Sequence, residues 1–185
     1  MVDSFGEGLE RALEGVFTRK PPQSAQAQMR FLVKQLKGTR AVAEVLGVSQ
    51  RTVERYVAGT LRRPRQDLRD RMGREVAQRW QPQVRARARA RAGSTDGLVI
   101  YTRARFGYTA APGTTDDARI RDITQALPPE YADRLFTAHE QGATEQQLQQ
   151  IAADGLAHVY FRANETRAHD LGVQITDVEH IEIEL

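Results

Sequence analysis

The stretch Arg40-Ala-Val-Ala-Glu-Val-Leu-Gly-Val-Ser-Gln-Arg-Thr-Val-Glu-Arg-Tyr-Val57 decides how this chain is read. Ala43 is small, as two closely crossing helices require, and Gly47, four residues on, can take the positive φ of a tight turn. Ser49 is a ready N-cap for a second helix. Val48 and Val53 point back toward a core. The outward face of the second helix then carries Gln50, Arg51, Thr52 and Arg55, side chains able to reach base edges. Arginine suits guanine and glutamine suits adenine in the major groove. The spacing predicts a DNA-binding helix-turn-helix at about 40–57. Arg62, Arg63 and Arg65 follow it closely and are placed to meet phosphates. A plain helical hairpin with a solvated charged face is the bland alternative, and the neighbouring arginines weigh against it.

Outward from this motif the pattern stays helical. Ser24 can cap a helix with Met29, Leu32, Val33 and Leu36 on one stripe, ended by Gly38. Thr39 opens the next helix, whose apolar positions are Ala41, Val42, Val45 and Leu46. Another runs over about 65–80 with Leu68, Met72 and Val76 at spacing four. Residues 1–20 predict a short helix before Pro21-Pro22, and Pro82 closes a helical domain.

Arg85, Arg87, Arg89 and Arg91 alternate with alanine. An extended chain would put all four on one face to track a phosphate backbone. A helix would divide them into two clusters on nearly opposite sides, since each two-residue step turns about 200°. Alanine and arginine both favour helix, and Pro82 suits a first helical turn. Either form would bind nucleic acid without reading its sequence, with a steep salt dependence.

Charge supports a divided chain. The 185 residues carry a net charge of +3, but residues 1–110 hold 22 Lys and Arg against 10 Asp and Glu, and residues 111–185 hold 5 against 14. That is a front half at +12 and a back half at −9, suggesting a polyanion-binding part and a part with another task. Cysteine is absent, which excludes disulfides and thiolate metal sites. No apolar run approaches the ~20 residues of a membrane span, and the acidic N-terminus is unlike a secretory signal. A cytoplasmic protein is expected.

In the back half, 98–108 is rich in β-formers and predicts a strand, bent at Gly107. Helices are expected at about 116–126, 129–140 and 144–161. The tail 173–185, with Val178, Ile181, Ile183 and Leu185 among acids, reads as a strand. Set beside the Arg103/Arg105 strand it would place opposite charges across the ladder. The fold class is therefore α+β, mainly α. A helical helix-turn-helix domain (1–80) leads through an Arg/Ala-rich basic linker or helix (81–97) to a smaller α+β domain with a short sheet (98–185).

Motifs of autonomous catalysis are not evident. His139, His158, His169 and His180 lack metal-ligand spacing, and no Gly-rich phosphate loop, HExxH or nucleophile elbow occurs. Asp116 and Asp117 read most simply as complements of a helix start.

Several stretches together resemble the telomere terminal proteins (Tpg family) of Streptomyces linear chromosomes and plasmids. They are Ser24-Ala-Gln-Ala-Gln-Met-Arg-Phe-Leu-Val-Lys-Gln-Leu-Lys-Gly-Thr-Arg-Ala-Val-Ala43, the helix-turn-helix, Trp80-Gln-Pro-Gln-Val-Arg-Ala-Arg-Ala-Arg-Ala90 and Thr102-Arg-Ala-Arg-Phe-Gly-Tyr-Thr-Ala-Ala-Pro-Gly-Thr-Thr-Asp-Asp-Ala-Arg-Ile-Arg121. The resemblance runs nearly full length, weakest over 1–20 and 162–175. It implies a protein primer that binds DNA at replicon ends, becomes covalently attached to the 5′ end and starts end-patching synthesis. The implied nucleotide acceptor is Thr114, with Thr115 as fallback. No intrinsic cofactor is implied, because Mg²⁺ and the deoxynucleotide come with a DNA polymerase. A telomere-associated recruiting protein and a nucleoid location at replicon ends are implied as well.

Read without the resemblance, Thr114 is a helix N-cap with Asp117 completing a capping-box-like pair. The functional alternatives are a helix-turn-helix transcriptional regulator with a C-terminal dimerisation or ligand domain, and an intrinsic nucleotidyl- or strand-transferase using Tyr101, Tyr108 or a threonine with Asp116 and Asp117.

Overall fold

A computed structural model describes residues 4–109, 119–161 and 172–185. In chain order the elements are α1 (Phe5–Gly15), α2 (Ala25–Leu36), α3 (Thr39–Leu46), α4 (Gln50–Val57), α5 (Gln66–Arg79), α6 (Pro82–Arg91), β1 (Leu98–Thr109), β2 (Arg119–Leu127), α7 (Pro129–Glu140), α8 (Glu145–Leu156) and β3 (Gly172–Glu184). Single π-helical turns at Ala92–Asp96 and Ala157–Phe161 follow α6 and α8. The fold is α+β and mainly helical. No helix among the described residues is long and apolar enough to cross a membrane.

The chain forms two compact units: Phe17–Pro82, and Met1–Val16 together with Gln83–Leu185. The helical unit is thus an insertion within the α+β unit. Its core is built from Met29 and Leu32 of α2, Val42, Ala43 and Leu46 of α3, Val53 and Tyr56 of α4, and Leu68, Met72 and Val76 of α5. Val33, Leu36 and Val48 pack at its margin, whereas Val45, expected among the inward positions, is 43% exposed. The ends of this unit are tied together. Thr18 N donates to Gln81 Oε1 and Gln81 Nε2 to Thr18 Oγ1, both at 2.9 Å, and Trp80 Nε1 donates to the Arg19 carbonyl at 2.9 Å. The Trp80 ring stands edge-on to Phe31 at 5.2 Å.

The α+β unit has an antiparallel sheet in the order β2-β1-β3. Along β1, Leu98, Ile100, Thr102, Ala104 and Phe106 are buried, the alternation expected of a sheet with one covered face. They meet Ile123 and Leu127 of β2, Ile175, Val178, Ile181 and Ile183 of β3, and the apolar faces of α1, α7 and α8. Buried Thr102 satisfies its hydroxyl on the His180 carbonyl at 3.0 Å. On the other face Arg103 bonds both Asp122 of β2 at 2.9 Å and Glu179 of β3 at 2.7 Å, and Arg105 bonds Asp177 at 2.9 Å. The expected pairing of the acidic terminal strand with the arginine strand is present. These pairs are exposed and worth little individually, but they favour one register over a slipped one.

Three expectations are corrected. The helix within residues 1–20 does not belong to the helix-turn-helix unit, so 1–80 is not one domain. Phe5, Leu9, Ala12 and Leu13 form a single stripe on α1 that is buried in the core of the α+β unit. Ser4 caps this helix, and Glu145 of α8 accepts from its first free amides, Phe5 N at 2.6 Å and Gly6 N at 3.3 Å. With α1 and α6 added, the α+β unit is the larger of the two, not the smaller. Lastly, the helix expected over 116–126 is replaced from Arg119 onward by β2, paired with β1 from Leu98↔Leu127 to Phe106↔Arg119.

Candidate nucleic-acid interface

The turn between α3 and α4 is built as its residues dictate. Gly47 sits in the left-handed region at φ 62° and closes α3 by donating to the Ala43 and Glu44 carbonyls. Val48 N bonds the Ala43 carbonyl at 3.0 Å, which folds the chain back at once. Ser49 then starts α4, its Oγ accepting from Thr52 N at 3.2 Å. Val53 and Tyr56 anchor α4 in the core. Its far end is held from α2, where Gln26 Nε2 and Arg30 Nε both donate to the Val57 carbonyl at 3.1 Å. The sequence reading did not single out these two side chains. Their spacing of four on α2, opposite an end that needs donors, is the only signal they leave.

Helical geometry sorts the four expected contact residues. At about 100° per residue, Arg51 and Arg55 fall within about 40° of each other and nearly opposite the Val53–Tyr56 side. Both are exposed. Gln50 and Thr52 flank them and are already engaged. Gln50 Nε2 donates to Glu54 Oε1 at 2.8 Å, and the half-buried Thr52 shares a 2.8 Å hydroxyl contact with Ser49 in the cap. Glu54 is therefore part of the exposed face, a residue the sequence reading passed over although its i,i+4 relation to Gln50 is visible there. Arg62, Arg63 and Arg65 are exposed, and Arg65 stands at the N-cap position of α5. None of these five arginines forms an ion pair among the described residues. Five guanidinium groups without an ion pair among the described residues, two of them on the outward line of α4, are chemically suited to a polyanion.

The Arg-Ala run is a helix, and helix splits it. Arg85 and Arg89 face inward. Arg85 Nη2 bonds Glu10 of α1 at 2.8 Å with its side chain only 14% exposed, and Arg89 pairs with Glu140 of α7. Glu10 is bonded on its other oxygen by His139 Nε2 at 3.1 Å. The His139 contact, then Arg85, holds the Glu10 carboxyl below its usual value against the opposing effect of burial. The one-face track of an extended chain is absent, and Arg85 and Arg89, both expected among the DNA contacts, are paired with carboxylates of the α+β unit. Arg87 is exposed, and Arg91 is exposed while bonded to Asp96 at 2.7 Å.

Thr114 and Thr115, with Asp116 and Asp117, lie outside the described residues, in the connection from β1 to β2. Tyr101 donates to Glu184 Oε2 at 3.2 Å, and that carboxylate raises its phenol above the ordinary value. This is the reverse of what an activated nucleophile needs. Among the described residues no three His, Asp or Glu side chains converge as a metal-holding group. No protein-family model, curated protein or solved structure matches the chain.

Proposed function

We propose that this chain is a telomere terminal protein: its helical unit binds DNA at the ends of linear replicons, and its α+β unit supplies the primer hydroxyl. The observation that carries the DNA-binding part is the outward pair Arg51 and Arg55 on a capped, core-anchored α4, with free Arg62, Arg63 and Arg65 beside it. The priming part rests on the sequence resemblance to the Streptomyces terminal proteins. In it, Thr114, with Thr115 as fallback, is the acceptor.

The step itself asks little of the protein. The threonine oxygen forms a bond to the α-phosphorus of a deoxynucleoside triphosphate, the bond to the β-phosphate bridging oxygen breaks, and pyrophosphate leaves. The hydroxyl proton passes to a base of the polymerase or to water. Threonine is a poor nucleophile, so in-line positioning and Mg²⁺ are required, and the polymerase provides both. The chain is accordingly an acceptor and not an enzyme. Its partners are DNA, covalently at the 5′ end, a DNA polymerase and a recruiting protein at the telomere. Its place in the cell is the nucleoid at replicon ends.

The test is incubation of the full chain with labelled deoxynucleotide, Mg²⁺, telomeric template and polymerase-containing extract, followed by denaturing electrophoresis. Label that stays with the protein supports priming. Sequence-specific duplex binding without any covalent label favours a transcriptional regulator instead, and label acquired without a polymerase favours an intrinsic transferase.

A further inference from the structure

The engaged and free side chains of α4 narrow the kind of DNA it suits, an inference that rests on the DNA-binding reading above. Gln50, the only amide on α4, spends one N–H on Glu54 at 2.8 Å and lies about 100° around the helix from Arg51, to the side of the outward line. Thr52 is committed to the Ser49 cap. What remains outward is Arg51 and Arg55 and, about 60° around the helix from Arg51, the exposed Glu54 carboxylate, whose Oε1 accepts from Gln50 and whose Oε2 is left to accept from a base. A guanidinium matches guanine O6 and N7 in a bidentate fork, and a carboxylate accepts from the cytosine amino group. Arg51 and Arg55 are four residues apart, about 6 Å along the helix axis. That is about one to two base-pair steps.

Glu54 has a second consequence. A carboxylate on a helix that enters a groove flanked by phosphates is repelled wherever it finds no donor. Its presence therefore penalises indiscriminate binding and is tolerated where a cytosine amino group meets it.

We propose that α4 reads a duplex element with two guanines about one to two base pairs apart on its major-groove edge, contacted by Arg51 and Arg55, with Glu54 acting as the residue that rejects other sequences. The readout is directed to G·C pairs.

The experiment is selection from a randomised duplex library with the full chain, then titration of a selected duplex and of its counterpart carrying 7-deazaguanine at each guanine in turn. The 7-deaza base lacks the N7 acceptor but pairs normally. Loss of the N7 arm of one bidentate contact is expected to weaken binding by roughly 5- to 100-fold. Arg51→Ala should lose sensitivity to one of the two substitutions and Arg55→Ala to the other. Glu54→Ala should tighten binding to unselected duplex and shrink the ratio of selected to unselected affinity. Selected duplexes bound equally well with and without N7 would overturn the guanine readout while leaving DNA binding in place, as would selection of A·T-rich sites. An unchanged ratio in Glu54→Ala would overturn its discriminating role. Absence of any duplex binding would overturn the DNA-binding reading itself, and this inference with it. Arg51, Glu54 and Arg55 are exposed, so circular dichroism of each variant separates lost contact from lost folding.

Discussion

Glu10 on α1 accepts a hydrogen bond from Arg85 on α6 at 2.8 Å, so two residues separated by the whole helix-turn-helix unit are direct partners. The same carboxylate is bonded by His139, and Arg85 Nη1 is buried without a partner. Removing Glu10 takes away the carboxylate bonded to a largely buried guanidinium and leaves only the weaker field of Glu14 beside it. Glu10→Ala is expected to cost the α+β unit about 1–3 kcal/mol, read as a lower melting temperature. A variant that melts with the parent protein would contradict this.

The same cluster sets a pH dependence. Glu10 lies below its ordinary value of 4.5 because His139 and Arg85 stabilise the carboxylate. A depressed carboxyl contributes stability that is complete above its unfolded value and is lost as pH falls through the folded one. Neighbouring Glu14 runs the other way, raised first by burial and then by the charge of Glu10. Its burden at neutral pH is relieved as it protonates on the way down. Melting temperature should therefore fall on acidification below about 4.5. In Glu10→Gln that acid-side fall should be shallower, and in Glu14→Gln it should begin from a higher neutral-pH value. Identical pH profiles for parent and Glu10→Gln would refute the assignment.

Gly97 is expected to be less replaceable than Gly93, Gly142 or Gly155 of the same unit. It enters β1 at φ 73° and ψ −156°, a region closed to other residues, and a Cβ there would stand 2.2 Å from the Leu127 backbone carbonyl. A backbone group of a paired strand cannot move aside as a side-chain tip can. Gly97→Ala should lose about 2–4 kcal/mol or fail to fold. Gly142, at φ 77° with open space around its Cβ direction, should lose only about 1 kcal/mol on the same change. Comparable losses at the two positions would count against the packing described.

Deletion of residues 1–16 tests the insertion. Phe5, Leu9 and Leu13 are buried in the α+β core, and at about 1.5–3 kcal/mol each their loss is comparable to the stability of a small domain. The truncated chain should lose cooperative unfolding of the α+β unit, whereas a 17–82 fragment should retain helical circular dichroism and bind DNA. A truncated chain that still melts in two normal transitions would refute the division.

The arginines separate into classes with different readouts. Arg51→Ala and Arg55→Ala should each weaken specific binding by about 1–3 kcal/mol, and loss of Arg62 or Arg63 should reduce the salt slope by about one. Arg85→Ala and Arg89→Ala should lower stability and leave that slope unchanged, because both side chains are spent on Glu10 and Glu140.

These differences mark how far local pattern reaches. The helix-turn-helix is legible because its signals, Ala43, Gly47 and Ser49, act over a few residues. The placement of α1 is not legible, since the stripe that announces a helix does not say which core it fills. β2 misleads for another reason: Ile123 and Leu127 are buried at a spacing of four, which suits a helix as well as a strand, and Arg121 and Gln125 on the same side hide the alternation. Arg85 and Arg89 look like phosphate ligands until the distant Glu10 and Glu140 are brought to them. The acceptor threonine is suggested by resemblance, and no spacing argument singles it out.

The most direct test of the account is therefore chemical. After reaction with polymerase, template and deoxynucleotide, the protein is digested and its nucleotidylated peptide sequenced by mass spectrometry. One deoxynucleotide is expected on the peptide spanning β1 to β2, linked to Thr114 or, failing that, Thr115, and lost in the double alanine variant. A nucleotide on any other residue would contradict the acceptor assignment, and a protein that never carries one would contradict the priming function.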